Sequence, residues 1–370
     1  MRKTVAVFFG GKSCENEISV LTGVFVLHLL DGGKYNVLPV YVHTDGLAYT
    51  SPKLKELDFF KNKRFDEAER VFFDGGVAYA LRKKRKVKPL GKVDVALNCC
   101  HGGLGEGGGM SAMMEWNGIP LASPDLTSSG VFMDKSTTKL FMKALGIPTV
   151  DYIRVNEKDY EKRGAFLLKS IESRLKYPVV IKPSHLGSSI GISVARNETE
   201  AKEAIEKGFA LDDRVIVEKF LEGKRDVNCA AYLREGEICV SEPEEAFGTG
   251  IYSFEEKYLK RTRDGGKSGD RVAITGELRE KIRSYTRTVY KRMDLKGVVR
   301  MDYLVKDKEV YLCEVNTVPG SLAYYLFCER IIDAKRFFTD LVEEGLKEGQ
   351  KPGKDTITTG ILQSVKWNRK

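Results

Sequence analysis

Residues 298–316, VVRMDYLVKDKEVYLCEVN, predict two adjacent β-strands joined by a short charged turn. Because side chains alternate across a strand, Arg300 and Asp302 share one face of the first strand. Glu314 and Asn316 likewise share one face of the second. Carboxylate and amide oxygens grouped in this way suit Mg²⁺, which also binds substrate phosphates. A purely structural role is disfavoured, because two carboxylates on one buried face are costly without a cation.

The residues before this pair of strands alternate strand and helix patterns. We predict strands over 4–9, 35–42, 93–98 and 119–122, and helices over 15–30 and 110–117. This order is typical of the α/β class, with an open, doubly wound and mostly parallel sheet. Residues 45–92 interrupt the order with turn signals, so we expect a partly hairpin insert at the sheet edge.

The remaining chain divides into two further units. We predict helices over 135–145 and 198–208, and strands over 177–182 and 192–195, in a central unit. Later residues are rich in strands (215–219, 228–233, 237–240, 298–305 and 309–315), with helices over 276–293 and 333–347. We therefore expect three domains, 1–122, 123–217 and 218–370, the last with α+β character.

Composition and charge restrict the protein class. The chain has 370 residues and a formal net charge of +9. No segment approaches the ~18–20 apolar residues of a membrane-spanning helix, and the start lacks the cleavage site of a secretory signal. The basic run 82–88, RKKRKVK, favours a solvated hairpin or loop, with nucleic-acid binding as an alternative from a different class. Seven cysteines without a Cys-x-x-Cys pattern favour a reduced, cytoplasmic protein, and any metal would need oxygen ligands.

Three glycine-rich turns follow predicted strands. Residues 6–13, AVFFGGKS, lack the first glycine of a nucleoside-triphosphate loop, and Glu15 beyond them either holds a ligand's ammonium group or is simply solvated. Residues 101–109 lie where doubly wound sheets bind ligands, although His101 alone could be a turn histidine. Residues 182–191 combine a lysine with a Gly/Ser loop that could close over phosphates, or form a flexible surface hairpin.

Two further segments complete the candidate site. Residues 254–258, FEEKY, lie in a stretch (243–275) with little periodicity, which is typical of an active-site lid or of a plain surface loop. Residues 317–320, TVPG, follow the second metal-binding strand. The backbone amide of Gly320 could donate a hydrogen bond to an oxyanion.

Together, eight motifs in order resemble those of the D-alanine–D-alanine ligases of the ATP-grasp superfamily. They are GGKSCENEIS (10–19), HGGLGEGG (101–108), MDK (133–135), VVIKPSHLGSSIG (179–191), VEKFLEG (217–223), EEKY (255–258), VVRMDY (298–303) and CEVNTVPG (313–320). Each motif is modest, but the series runs along nearly the whole chain.

The resemblance implies a role for individual residues. It groups Glu15, Ser188 and Tyr258 into a hydrogen-bonded trio at the first D-alanine, which His101 would also line. It assigns contacts with the ATP phosphates, adenine or ribose to Lys135, Lys182, Ser189, Glu218, Lys219, Leu221, Asp226 and Lys257. It assigns two Mg²⁺ ions, with Mn²⁺ as a substitute, to Asp302, Glu314 and Asn316. Oxyanion stabilisation falls to Arg300 and the amide of Gly320.

The chain departs from the family pattern in two places. The family's GEDG turn is Gly-Glu-Gly-Gly here (105–108), and its small hydroxyl residue after NTxPG is replaced within the run SLAYY, 321–325. The nucleotide and metal motifs are retained, whereas those for the second substrate differ. The candidate acceptor-binding residues are Ser321, Tyr324 and Tyr325, and we expect a tyrosine hydroxyl to bind the acceptor's carboxylate.

The implied activity is the ATP-dependent joining of two D-alanines through an acylphosphate, in cytoplasmic synthesis of peptidoglycan precursors. A ligase with another acceptor, such as D-lactate, D-serine or a different D-amino acid, is the alternative. Tyr258 favours an amine acceptor, because depsipeptide-forming members of the family usually lack it. We also expect a homodimer that acts on small molecules, without a nucleic-acid or membrane partner.

Overall fold

The computed structural model describes residues 2–82, 86–245, 274–350 and 359–364. Strands in these ranges form three sheets of seven, four and five strands. None of the helices described there has the length and apolar composition needed to cross a bilayer. All seven cysteines are free, as predicted, although Cys14 is exposed.

The seven-stranded sheet contains the N-terminal part of the chain. Its strands are β1 (Lys3–Gly10), β2 (Tyr35–Val42), β3 (Ala48–Thr50), β4 (Glu69–Asp74), β5 (Val77–Leu81), β6 (Val87–Lys92) and β7 (Val95–Asn98), in the order β6-β5-β4-β3-β2-β1-β7. Only β2, β1 and β7 pair in parallel. The predicted insert supplies the antiparallel strands β3 to β6, together with α2 (Leu57–Lys61). The expected strand over 119–122 is wrong, because only Leu121 forms a bridge, with Ala96.

Helices cover both faces of the parallel strands. Helix α1 (Asn16–Leu29) packs beside Val5, Val7 and Phe9, whereas α3 (Gly103–Glu106) and α4 (Gly109–Trp116) follow β7, and α4 packs beside Phe8. Alternate residues of β1 point to opposite sides, so α1 and α4 lie on opposite faces of the sheet. Helices on both faces make this part of the sheet doubly wound, as predicted. Helix α1 lies so close to β1 that a Cβ atom at Gly23 would stand 2.3 Å from the Phe9 ring, so only glycine fits there.

The four-stranded sheet forms the central part. It contains β8 (Tyr152–Asn156), β9 (Val179–Pro183), β10 (Ser193–Ala195) and β11 (Arg214–Lys219), and all of its pairings are antiparallel. Apolar residues of α7 (Glu157–Leu175) and α8 (Glu198–Phe209) pack against it. Strand β8 and helix α7 have no counterpart among the elements predicted from the sequence. The expected domain boundary at 217/218 falls within β11.

The five-stranded sheet contains the C-terminal part of the chain, including the two strands of the predicted metal site. Its strands are β12 (Arg225–Arg234), β13 (Glu237–Val240), β14 (Glu244–Glu245), β15 (Val299–Lys306) and β16 (Glu309–Asn316). The helices around it and further along the chain are α5 (Leu126–Met133), α6 (Lys135–Ala144), α9 (Gly276–Arg292), α10 (Ala334–Glu348) and α11 (Ile361–Ser364). Phe132 of α5 and Met142 of α6 join this sheet's core, although they precede the central sheet in sequence. Helix α10 packs instead in the core of the N-terminal sheet.

Candidate active site

The predicted cluster on β15 and β16 assembles in the structure. Asp302 pairs with Glu314 and Arg300 with Asn316, because a register shift between Asp302 and Tyr303 leaves Cys313 without a cross-strand partner. Arg300 binds Asp302 through two hydrogen bonds, Nε to Oδ1 (2.7 Å) and Nη2 to Oδ2 (2.8 Å). The side-chain amide of Asn316 donates to Oδ2 of the same carboxylate at 3.1 Å.

The donor set on this face fits a hard divalent cation. Two carboxylates and one amide oxygen lie on adjacent strands, and Glu314 Oε2 is 4.0 Å from the Lys135 ammonium. Oxygen ligands of this kind are those that Mg²⁺ binds. Arg300 and Lys135 supply positive charge beside them, which would assist the binding of anionic phosphates. The residues present therefore fit the predicted metal.

A buried chain of ion pairs lies beside β16, where the Lys182 ammonium is 3.6 Å from Cys313 Sγ. Glu218 Oε2 accepts a hydrogen bond from the Lys182 ammonium at 2.7 Å, and the Lys139 ammonium lies 3.0 Å from Glu218 Oε1. The side chains of Lys139 and Glu218 are 0% and 3% exposed. Burial acts to raise the pKa of Glu218, but the two lysines outweigh it and bring the pKa to about 2. Glu218 therefore stays charged and holds Lys182 in position.

Lys139 was missed in the sequence analysis. It lies one helical turn after Lys135 on α6, so the two lysines share a face of that helix. Its ammonium also donates to the Val150 carbonyl at 3.3 Å and lies over the Tyr152 ring. The spacing of two lysines four residues apart was the available signal.

The loop after β9 is fastened to the start of α6. The Lys135 backbone amide donates to the Ser184 carbonyl at 3.2 Å, and its ammonium donates to the Leu186 carbonyl at 2.5 Å. His185 is held between two carboxylates, with Nδ1 2.9 Å from Asp212 Oδ1 and Nε2 3.4 Å from Asp134 Oδ2. These contacts fix the start of the loop against α6 and β11.

The tip of this loop reaches the N-terminal domain. Ser188, in a left-handed conformation (φ 53°), donates a short hydrogen bond from its hydroxyl to Glu15 Oε1. Two members of the predicted trio are thus in contact. Ser189 follows, also left-handed (φ 60°). The third member, Tyr258, lies outside the described residues, as does Lys257.

His101 precedes the short helix α3 and is buried, whereas Glu106 ends the helix and is partly buried. Burial lowers the pKa of His101 to about 4 and raises that of Glu106 to about 7. Glu106 Oε2 accepts the Gly102 amide at 2.9 Å. Glu106 also lines a cleft with Lys135, Leu186 and Glu314, so the glycine-rich turn, the loop and β16 converge on one space.

The predicted acceptor residues lie in the turn after β16. Three consecutive residues, Ser321 to Ala323, have φ near +50°, which folds the turn back towards the sheet. Tyr325 consequently accepts a hydrogen bond from Arg300 Nη1 at 3.1 Å. Tyr324 points elsewhere, with its ring 4.8 Å from that of Phe25 on α1. Tyr325 is therefore the tyrosine that contacts Arg300.

The predicted adenine and ribose residues lie at the junction of two sheets. Lys219 ends β11, where its backbone amide donates to the Asp151 carbonyl at 3.0 Å, and Leu221 follows in the connection to β12. Asp226, near the start of β12, is ion-paired with Lys224. The Glu218 side chain, in contrast, points into the buried lysine pair.

Comparison with known proteins identifies the family. Sequence models of the D-ala D-ala ligase N-terminus and C-terminus match residues 4–124 and 141–347. The D-alanine–D-alanine ligase of Thermosipho melanesiensis is 32% identical over 97% of this chain and 98% of its own length. That of Thermosipho africanus is 35% identical over 87% and 88%. The chain belongs to the D-alanine–D-alanine ligase family.

Solved structures share the fold of this ligase. The D-alanine–D-alanine ligase of Helicobacter pylori superposes with a TM-score of 0.75 at 24% identity, covering 94% of this chain and 98% of its own. A D-Ala:D-Ser ligase of Enterococcus faecalis gives a TM-score of 0.74 at 25% identity, covering 93% and 100%. The predicted ATP-grasp fold and the class of ATP-dependent ligase are thereby confirmed.

Proposed function

We propose that this ligase joins two D-alanines into D-alanyl-D-alanine, with ATP converted to ADP and phosphate. The observation that carries the proposal is the contact of Ser188 with Glu15, which brings the loop of the central domain onto the N-terminal domain. A carboxylate at that point suits the ammonium group of an amino acid. Lys135, Glu314 and Asn316 line one cleft, and Arg300 pairs with Asn316 across the two strands.

ATP is proposed to bind between the central and C-terminal sheets. Lys182 and Lys135 supply the positive charge for its phosphates, and the loop 184–191 covers them. Glu218 is the proposed contact for the adenine, and its two carboxylate oxygens are paired with Lys139 and Lys182. Lys219 and Leu221 offer backbone groups next to it, and Asp226 a carboxylate for the ribose.

Asp302, Glu314 and Asn316 are proposed to hold Mg²⁺. When bound, the metal neutralises charge on the transferring phosphoryl group. Arg300 remains bonded to Asp302 through Nε and Nη2, so its guanidinium is fixed while Nη1 faces Tyr325. A fixed guanidinium can stabilise an oxyanion without reorganising during the reaction.

The proposed reaction has two steps. A carboxylate oxygen of the first D-alanine attacks the γ-phosphorus of ATP, and ADP leaves. The amine nitrogen of the second D-alanine then attacks the acyl carbon, loses a proton, and phosphate leaves from the tetrahedral intermediate. Glu15 holds the first ammonium group, while Arg300 and the amide of Gly320 stabilise the oxyanion.

The second substrate is proposed to lie against Tyr325. The structure brings its hydroxyl next to Arg300, so a carboxylate bound there could accept hydrogen bonds from both side chains. Ser321 lies at the start of the same turn. A D-serine acceptor is the second candidate, since a structural neighbour of 25% identity is a D-Ala:D-Ser ligase.

The product is proposed to enter peptidoglycan synthesis, with the enzyme acting in the cytoplasm as a homodimer. The relatives named above are ligases for the same dipeptide.

The test is ADP release measured across a panel of D-amino and D-hydroxy acids, with products identified by mass spectrometry. We expect D-alanyl-D-alanine as the main product and no turnover with L-alanine. Glu15→Gln should weaken use of the first substrate, and the exposed Lys207→Met variant serves as its control. Turnover only with another acceptor would refute the substrate assignment while leaving the ligase class intact.

A further inference from the structure

A chain of hydrogen bonds links helix α1, the glycine-rich turn and the turn after β16. The His101 ring lies between Thr22 Oγ1, 2.8 Å from Nε2, and the Val318 carbonyl, 2.7 Å from Nδ1. Thr22 Oγ1 also receives the backbone amide of Ser321 at 3.2 Å. Thr22 and His101 are 2% and 3% exposed, so water does not compete for these bonds.

The direction of every bond in the chain is determined. A carbonyl oxygen only accepts, so His101 Nδ1 must carry a proton and donate it to Val318. Burial keeps the ring neutral at pH 7, as its pKa of about 4 indicates, so Nε2 is unprotonated. The Thr22 hydroxyl must therefore donate to Nε2, while its oxygen accepts the amide hydrogen of Ser321.

These hydrogen bonds hold both ends of the turn after β16. Val318 and Ser321 are three residues apart, and Gly320 lies between them. The amide of Gly320 is the proposed oxyanion donor, so its position depends on both anchors. Thr22 follows Glu15 by seven residues, or about two helical turns, which places both residues on one side of α1.

We propose that Thr22 and His101 are positioning residues that fix the Gly320 amide relative to Glu15, with His101 in its Nδ1–H tautomer. This inference rests on the proposed function of Glu15 and Gly320. Both imidazole nitrogens are then hydrogen-bonded to Thr22 and Val318. His101 therefore affects the reaction by positioning the turn. Misplacing an oxyanion donor by about 1 Å can cost roughly 100-fold in rate.

The first experiment is ¹⁵N NMR of the imidazole groups in the full-length protein without substrates. The chain has only four histidines, at 28, 43, 101 and 185, which simplifies assignment. We expect His101 to show a protonated Nδ1 and an unprotonated Nε2 at pH 7. A protonated Nε2 would overturn the proposal, whichever substrate the enzyme uses.

The second experiment compares Thr22→Val with Thr22→Ser, which keeps the hydroxyl. Thr22→Val should lower kcat about 10- to 100-fold with little change in the KM for ATP, and Thr22→Ser should largely restore kcat. Thr339→Val on α10, whose hydroxyl only bonds the Lys335 carbonyl, is the control for the substitution type. Unchanged kcat in folded Thr22→Val, or equal losses in the Val and Ser variants, would refute the positioning role. If Thr22→Val does not fold, the His101 tautomer measured by NMR in the parent protein tests the proposal instead.

Discussion

Replacing Lys139 by methionine should test how strongly the buried ion-pair chain supports the central domain. Methionine keeps most of the side-chain length but removes the charge that lies 3.0 Å from Glu218. Removing one partner of an isolated buried pair costs about 3–5 kcal/mol, because the other charge is left uncompensated. Glu218 would keep Lys182 at 2.7 Å, so the loss is better compared with one charged hydrogen bond, about 1.5–3 kcal/mol.

The assay is thermal unfolding as a function of pH. For a cooperatively unfolding unit of about 150–250 residues, a loss of about 1.5–3 kcal/mol should lower Tm by roughly 3–12 °C. Glu218 has its pKa lowered from 4.5 to about 2 in the folded state, so its stabilisation is present above pH 4.5 and disappears as pH falls towards 2. The difference in Tm between parent and Lys139→Met should therefore be largest near neutral pH and shrink in acid.

The control is Lys207→Met, which removes an exposed ion pair with Glu203 on α8. Exposed pairs contribute little, so its Tm should stay close to that of the parent. Equal Tm values for Lys139→Met and the parent at pH 7 would refute the reasoning. A loss that persisted unchanged at low pH would show that packing, rather than charge, explains it.

Three further outcomes are expected. Glu314→Gln should abolish Mg²⁺-dependent ADP release while the circular dichroism spectrum stays unchanged; normal turnover would contradict the metal assignment. Tyr325→Phe should lower kcat/KM for the acceptor roughly 10- to 100-fold, with ATP kinetics unaffected, and unchanged acceptor kinetics would leave Ser321 as the candidate. His185 is hydrogen-bonded to Asp134 and Asp212, and these carboxylates raise its pKa from 6.5 to about 9. His185→Gln should therefore destabilise the protein most below pH 6.5 and hardly at all above pH 9. A difference in Tm that did not depend on pH would refute this expectation.

Strands β15 and β16 were predictable because their sequence pattern is local. Alternation along 298–316 placed Arg300 and Asp302 on one face, and antiparallel pairing then aligned them with residues of β16. The register shift that sets Asp302 opposite Glu314 has no local signal. It became visible only in the paired strands.

Contacts between distant segments could not be predicted from periodicity. Lys139 looks like a surface lysine of an amphipathic helix, and only the position of β11 shows that it meets Glu218. Thr22 likewise fits an ordinary helix, until the turn after β16 brings Ser321 to its hydroxyl. The sequence could not distinguish Tyr324 from Tyr325 either, because the left-handed turn before them determines which ring meets Arg300.

The basic run 82–88 overlaps the start of β6, a strand of the insert, and the position of this strand suggests a structural reason for the positive charge. Strand β6 forms the outer edge of the N-terminal sheet, where unpaired backbone groups could recruit a strand from another molecule. Exposed Lys86, Lys88 and Lys92 repel such a strand, and Pro89 withholds an amide hydrogen from it. These residues therefore disfavour pairing between the exposed edge of β6 and a strand of another molecule.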